Sequence, residues 1–254
     1  MYSFPPKQKA LVSGETIEYV SAGSGVSTIV LINGSGGPIE GWHEVFGALA
    51  EFAKVFAYNR PGMGGSSKPA VPQVGSHAVS SLRAALRAAE LSPPYILVGH
   101  SLGGLIVNLF ARLHPSEVSA AVLVEATAAD DISVLASHEN AVQRFLRCML
   151  ENVAPPNPNA ETQHVRSTVA ELDLAPPFPC IPLNVVTGGK PAMAWATAPQ
   201  AIAARMASQQ RLAGLSPLGK QIVAAHSGHF PQFTEPQLVI AAVAEMANRV
   251  ARGF

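Results

Sequence analysis

The sequence predicts an α/β protein in which a mostly parallel central sheet is flanked by helices. Short apolar runs recur along the chain with turn residues between them. Segments with apolar residues three or four positions apart lie between these runs and predict amphipathic helices. Strands and helices that alternate in this way are typical of parallel sheets with both faces covered.

Seven apolar runs are predicted to be strands, because each is short, apolar and bounded by turn residues. They are residues 16–20, 28–32, 55–58, 95–98, 120–124, 183–186 and 221–225. Five helices are predicted between or after them, at residues 42–52, 79–89, 102–113, 202–212 and 237–250. Prolines at 93, 94 and 115 end two of these helices, since the residue before a proline disfavours helical backbone.

The length of 254 residues and the 48% hydrophobic content predict one domain spanning residues 1–254. Residues 128–179 carry no convincing strand pattern and are too long for an ordinary connection. We therefore expect a helical lid inserted there, with a second helix around residues 161–172. The apolar face of the first lid helix consists of Val142, Phe145, Leu146, Met149 and Leu150.

Charge and composition narrow the class of partner. Lys plus Arg equals Asp plus Glu at 17 each, which argues against nucleic acid or an anionic membrane and favours a small-molecule substrate. The first residues lack a secretory pattern and no apolar run is long enough to insert into a membrane, so we expect a soluble, cytoplasmic protein. The two cysteines are far apart and predict neither a metal site nor a disulfide framework.

The candidate nucleophile is Ser101, in the run Gly-His-Ser-Leu-Gly-Gly at residues 99–104. This run lies between a buried strand and an amphipathic helix. A serine at such a sharp turn needs small neighbours, and the helix N-terminus directs free N–H groups at the reacting atom. A serine hydroxyl also needs a general base and a third group that orients the base.

His229 is the candidate base, because it follows the last apolar run and precedes the terminal helix. This places it at the carboxyl edge of the sheet, where catalytic groups of open α/β sheets gather. His226 is the competitor, and we interpret it as a loop or surface residue. His100 is interpreted as a packed neighbour of the nucleophile. The glycine-rich turn at residues 33–37 would expose backbone donors for a developing oxyanion.

These motifs, together with the run Asn-Arg-Pro-Gly-Met-Gly-Gly-Ser at residues 59–66, resemble the α/β-hydrolase fold superfamily. The resemblance covers nearly the whole chain outside the lid. It implies that the backbone N–H groups of Ser35 and Leu102 bind the oxyanion. The family usually has His where this chain has Asn33, but backbone donors do not depend on that side chain. We interpret Arg60 as a structural residue of its turn.

The triad acid departs from the usual family arrangement. The acid usually follows the strand that corresponds to residues 183–186, yet residues 187–192 contain no carboxylate. Some members of the superfamily place the acid after the preceding strand, where this chain has Glu125. Asp130 and Asp131 are the rival candidates, a few residues further along.

The resemblance implies a serine hydrolase that cleaves a small, largely apolar carboxylic ester, thioester or lactone through an acyl-serine intermediate. Ser101, His229 and Glu125 would form the triad, and no metal or organic cofactor would be required. Three alternatives remain at this point, one of which is a lyase or haloperoxidase-like use of the same pocket. The same triad can cleave carbon–carbon bonds, and the empty acid position favours a binding protein or receptor that hydrolyses slowly or not at all.

Overall fold

A computed structural model describes residues 4–129, 157–190 and 199–253. Its strands form one eight-stranded sheet in the order β1-β2-β4-β3-β5-β6-β7-β8. The two antiparallel pairs are β1 with β2 and β2 with β4, and the remaining pairs are parallel. The strands are β1 (Gln8–Val12), β2 (Glu15–Ala22), β3 (Thr28–Ile32), β4 (Lys54–Asn59), β5 (Tyr95–His100), β6 (Val118–Val124), β7 (Leu183–Gly188) and β8 (Gly219–Ala224).

The mostly parallel sheet agrees with the predicted fold class, and all seven predicted strands are present, six of them with shifted ends and β3 with the predicted ones. Strand β1 was not predicted from the sequence. This strand lies at the edge of the sheet and pairs only with β2. Gln8 and Lys9 are exposed, so β1 lacks the apolar run by which a buried strand is recognised.

Seven described helices accompany the sheet. They are α1 (His43–Ala50), α2 (Gly75–Ala88), α3 (Leu102–Leu113), α4 (Val165–Leu174), α5 (Pro199–Ala213), α6 (Pro231–Thr234) and α7 (Pro236–Ala251). Short 3₁₀ helices precede α1, β6 and α4 at Ile39–Trp42, Pro115–Glu117 and Glu161–Gln163. Among the helices so described, none is long and apolar enough to cross a membrane.

The sheet has a separate apolar core on each face. Tyr95 and Leu97 of β5 point into a core with α2 and α3, whereas Ile96 and Val98 point into a core with α1 and α7. This alternation follows from the two-residue period of a strand. Both faces are covered, so the parallel strands present their functional groups at their carboxyl edge.

Residues 157–174, which we call the cap segment, belong to the described part of the predicted lid. Its 3₁₀ turn and α4 replace the single helix predicted at residues 161–172, and α4 packs against α2 and α3. Residues 130–156, with the apolar stripe at 142–150, lie outside the described residues. The division into one domain with a lid at residues 128–179 therefore stays a prediction.

Candidate active site

Ser101 lies at the sharp turn between β5 and α3. Its φ of 50° and ψ of −120° are unusual for a residue with a side chain. The turn is held from both sides, because the Ser101 N–H donates to the Val124 carbonyl at 3.2 Å and the Ser101 carbonyl accepts from the Thr127 N–H at 3.0 Å. The hydroxyl is thereby presented at the carboxyl edge of the sheet on a rigid support.

Glycines beside Ser101 allow the first turn of α3 to approach the sheet. A Cβ atom on Gly103 would lie 2.2 Å from the carbonyl oxygen of Ile32, and one on Gly99 would lie 2.6 Å from the carbonyl oxygen of Gly103. Both distances are shorter than any van der Waals contact. The small residues around the nucleophile are therefore required by close backbone packing.

His229 lies in the loop between β8 and α6 and reaches Ser101. Its Nε2 accepts a hydrogen bond from the Ser101 hydroxyl, with 3.1 Å between Nε2 and Oγ. The rival, His226, is exposed, and its backbone N–H donates to the carboxylate of Glu235 at 2.9 Å. The structure thus brings His229, and not His226, to the serine.

Glu125 follows β6 and faces the other ring nitrogen of His229. Its side chain is buried, and Oε2 lies 3.5 Å from His229 Nδ1. The second carboxylate oxygen accepts the Gly188 N–H at the end of β7. Glu125 adopts a left-handed backbone conformation with φ 47°, which is strained for a residue with a side chain. Asp130 and Asp131 lie outside the described residues.

Arg205 of α5 forms an ion pair with the same Oε2 atom of Glu125. Burial lowers the pKa of His229, and the positive charge of Arg205 lowers it further. A neutral imidazole with a free Nε2 lone pair can take a proton from the serine. The surroundings of His229 therefore favour the protonation state that a general base needs.

His100 contacts the loop that carries His229. Its Nε2–H donates to the backbone carbonyl of His229 at 2.8 Å, and its ring packs edge-on against Trp42. Burial lowers the pKa of His100 to about 4, so this side chain is neutral near pH 7. The placement agrees with its interpretation as a packed neighbour of the nucleophile.

The glycine-rich turn at residues 33–37 borders the nucleophile. A Cβ atom on Gly34 would lie 3.0 Å from Cβ of Ser101 and 3.0 Å from Nδ1 of His100. The Asn33 side-chain amide donates to the Pro38 carbonyl, and this bond links the two ends of the turn. Leu102 is the first residue of α3, and its N–H has no helical carbonyl partner. Both predicted oxyanion donors, Ser35 and Leu102, thus belong to segments that meet beside Ser101.

Two residues that contribute to this site were not predicted from the sequence. Arg205 is one of several polar residues on α5, and its spacing gives no sign that it reaches Glu125. Gly188 contributes only a backbone N–H, which no sequence pattern at the end of a strand marks. Within the described ranges, no three His, Cys, Asp or Glu side chains lie close enough together to bind a metal ion.

Comparisons with known proteins agree with the fold. YqjL, an uncharacterized protein from Bacillus subtilis, is 31% identical over 108 residues, which cover 42% of this chain and 43% of that protein. The 1-acylglycerol-3-phosphate O-acyltransferase ABHD5 from Sus scrofa is 32% identical over 136 residues, covering 52% of this chain and 39% of that protein. The chain thus matches less than half the length of these curated relatives.

A solved structure of a thermophilic esterase from Thermogutta terrifontis superimposes with a TM-score of 0.70 at 17% identity. The superposition covers 97% of this chain and 99% of the esterase. The sequence also matches the model of the alpha/beta hydrolase fold family over residues 27–198, which is more than half of its length. The chain belongs to the alpha/beta hydrolase fold family.

Proposed function

We propose that this protein is a serine hydrolase that cleaves a small, largely apolar carboxylic ester, thioester or lactone through an acyl-serine intermediate. One observation carries the proposal. A single line of contacts runs from Ser101 Oγ to His229 Nε2 at 3.1 Å, and from His229 Nδ1 to Glu125 Oε2 at 3.5 Å. A nucleophile, a base and an orienting acid in this order can activate a hydroxyl near neutral pH.

The first half of the reaction forms the acyl-serine. Ser101 Oγ attacks the carbonyl carbon of the substrate while its proton passes to His229 Nε2, and Glu125 stabilises the resulting imidazolium. The carbonyl oxygen becomes an oxyanion, which the N–H groups of Ser35 and Leu102 would bind. The tetrahedral intermediate then collapses, and the alcohol or thiol leaves with the proton from His229.

The second half regenerates the enzyme. Water gives a proton to His229 Nε2 and its oxygen attacks the acyl carbonyl. Collapse of the second tetrahedral intermediate breaks the bond to Ser101 Oγ, which recovers its proton from His229. The carboxylic acid is released, and in a lactone it remains attached to the hydroxyl freed in the first half.

The rim of the site supports an apolar substrate. The Phe230 side chain is 48% exposed, and its ring centroid lies 5.0 Å from that of His229 and 5.3 Å from that of His100. Phe233 lies beside it, with ring centroids 5.9 Å apart. An exposed aromatic pair next to the reacting atoms offers contact to a hydrocarbon group of the substrate.

The test combines labelling with turnover. We expect a fluorophosphonate probe to modify wild-type protein at Ser101 and to leave Ser101→Ala unlabelled. Hydrolysis of p-nitrophenyl esters of graded acyl length should fall by about 10⁶-fold in Ser101→Ala and in His229→Ala. His226→Ala is the matched control and should retain wild-type turnover, since His226 is exposed and the Ser101 hydroxyl is bonded to His229.

One feature favours the alternative of a slow or non-catalytic binding protein. Arg205 and His229 both contact Oε2 of Glu125. The Arg205 charge therefore weakens the interaction between the Glu125 carboxylate and the His229 imidazole. The same experiment separates the two functions. Folded wild-type protein with an unreactive Ser101 and no measurable turnover on any ester of the series would overturn the hydrolase proposal.

A further inference from the structure

Arg60 and Glu161 form a buried ion pair outside the triad. Arg60 lies in the turn after β4 and Glu161 in the cap segment, and the two side chains are 4% and 9% exposed. Nε of Arg60 donates to Oε2 of Glu161 at 2.5 Å and Nη2 donates to Oε1 at 3.0 Å. The two-pronged geometry joins the body of the protein to the cap segment.

Two further guanidinium hydrogens bind the turn that borders Ser101. Nη1 of Arg60 donates to the Asn33 carbonyl at 2.8 Å, and Nη2 donates to the Gly34 carbonyl at 2.7 Å. The C=O and N–H of a trans peptide point in opposite directions within one plane. The Gly34 carbonyl also accepts the Gly37 N–H at 3.2 Å. Because Arg60 makes the shorter bond to this carbonyl, it helps to fix the direction of the Ser35 N–H, which points away from the guanidinium.

Glu161 binds the same turn directly. Its Oε1 accepts the Gly36 N–H at 3.2 Å. Burial would raise the pKa of Glu161, but the charge of Arg60 and hydrogen bonds from Arg60, the Gly36 N–H and the Ser35 side chain hold that pKa below its usual value. The carboxylate is therefore ionised near pH 7, and the turn is held by two opposite charges.

A buried ion pair is weak evidence of stabilisation, because desolvation of the charges offsets their attraction. Its hydrogen bonds to the turn give this pair a different role. We propose that Arg60 and Glu161 are positioning residues that orient the Ser35 N–H for oxyanion binding and make this orientation depend on the docked cap segment. The proposal rests on the proposed hydrolase function.

The test is a steady-state comparison of Glu161→Gln and Arg60→Lys with p-nitrophenyl acetate. Glutamine keeps the size of Glu161 and loses its charge, whereas lysine keeps the charge of Arg60 and loses the fork that reaches both carbonyls. A displacement of about 1 Å in a catalytic group can lower the rate about 10²-fold. We expect kcat to fall by about 10-fold to 10²-fold in each variant, with KM within about twofold of wild type.

The matched control is Glu117→Gln. Arg83 and Glu117 also form a two-pronged ion pair, but it joins α2 to the 3₁₀ turn before β6, away from the turn at residues 33–37. This control should keep wild-type kcat and KM. Turnover is expressed per active site, counted by fluorophosphonate labelling, so that partial unfolding does not imitate a catalytic loss.

The outcomes distinguish the two proposals. Loss of kcat per labelled site at constant KM in Glu161→Gln or Arg60→Lys, with Glu117→Gln unchanged, supports the positioning role. Wild-type kcat per labelled site in both variants overturns it while the hydrolase function stands, and so does a loss of folded protein without a loss of kcat per site. Wild-type protein without labelling or turnover removes the hydrolase function itself.

Discussion

Substitution of Glu125 by glutamine tests the most unusual feature of the site, an acid that follows β6. Glutamine has nearly the size of glutamate, and its carbonyl oxygen can still accept the Gly188 N–H. The amide nitrogen would then face His229 Nδ1 and the guanidinium of Arg205. A donor at that position favours the tautomer with the proton on Nε2, and this tautomer cannot accept the Ser101 proton.

The expected loss of rate follows from the distance between His229 and Glu125 and from the exposure of His229. Two unit charges 3.5 Å apart, as in the imidazolium–carboxylate pair, interact by about 5 kcal/mol at an effective dielectric constant of 20. His229 is 41% exposed, so we take roughly half of this value, which corresponds to nearly 10²-fold in rate. The wrong tautomer adds a further loss, up to the ~10⁴-fold known for a triad acid replaced by its amide. We expect a fall in kcat of about 10³-fold.

The assay is hydrolysis of a p-nitrophenyl ester by Glu125→Gln, with Asp130→Asn and Asp131→Asn as comparison variants. Each variant is first checked for native secondary structure and counted by active-site labelling. We expect Asp130→Asn and Asp131→Asn to retain turnover within about threefold of wild type, since neither carboxylate is needed when Glu125 serves the histidine.

Two results would refute this reasoning. Turnover of Glu125→Gln above a tenth of wild type would show that the carboxylate contributes less than its geometry implies. Full turnover in Glu125→Gln together with a collapse in Asp130→Asn or Asp131→Asn would move the acid to that aspartate and leave the serine–histidine pair intact.

Two further predictions concern the histidines. In Arg205→Met the loss of the positive charge should raise the pKa of His229, so the acid limb of the kcat/KM profile should move to higher pH; an unchanged limb would show that Arg205 does not act on the base. The pKa of His100 is about 4 in the folded protein, against an ordinary value of 6.5. Between pH 6.5 and pH 4 the unfolded protein therefore binds a proton that the folded protein does not. The free energy of unfolding falls by ~3 kcal/mol as the pH drops through this window. His100→Gln retains a donor for the His229 carbonyl. In chemical denaturation its free energy of unfolding should fall less than that of wild type over this pH range, by about that amount. An equal fall in both proteins would contradict the low pKa of His100.

Most of the fold could be predicted because burial leaves a signal in the sequence. The buried strands β3 to β7 each contain a short, mostly apolar run, and α3 shows its apolar spacing after the serine turn. The edge strand β1 gave no such signal. The turn containing Ser101 was recognisable because close packing of the backbone requires glycines on both sides of it.

Ion pairs between residues far apart in the sequence could not be predicted. Glu161 reaches Arg60 across 101 positions of sequence, and Arg205 on α5 reaches Glu125, which follows β6. Each is a single charged residue on a segment with other charged residues. A sequence pattern shows which face of an element is buried, but it does not show which charge on one element meets which charge on another.

The position of Glu125 follows from the sheet itself. Strands β6 and β7 are parallel neighbours, with Val124 paired to Val186, so Glu125 leaves β6 beside the end of β7. The Glu125 N–H donates to the Val186 carbonyl at 2.8 Å, and the side chain accepts the Gly188 N–H. The carboxylate therefore lies against the end of β7, the strand that the usual acid of this family follows, although Glu125 itself follows β6. Because glutamate is one methylene longer than aspartate, it can cross this gap, and we therefore expect Glu125→Asp to lose turnover even though its charge is retained.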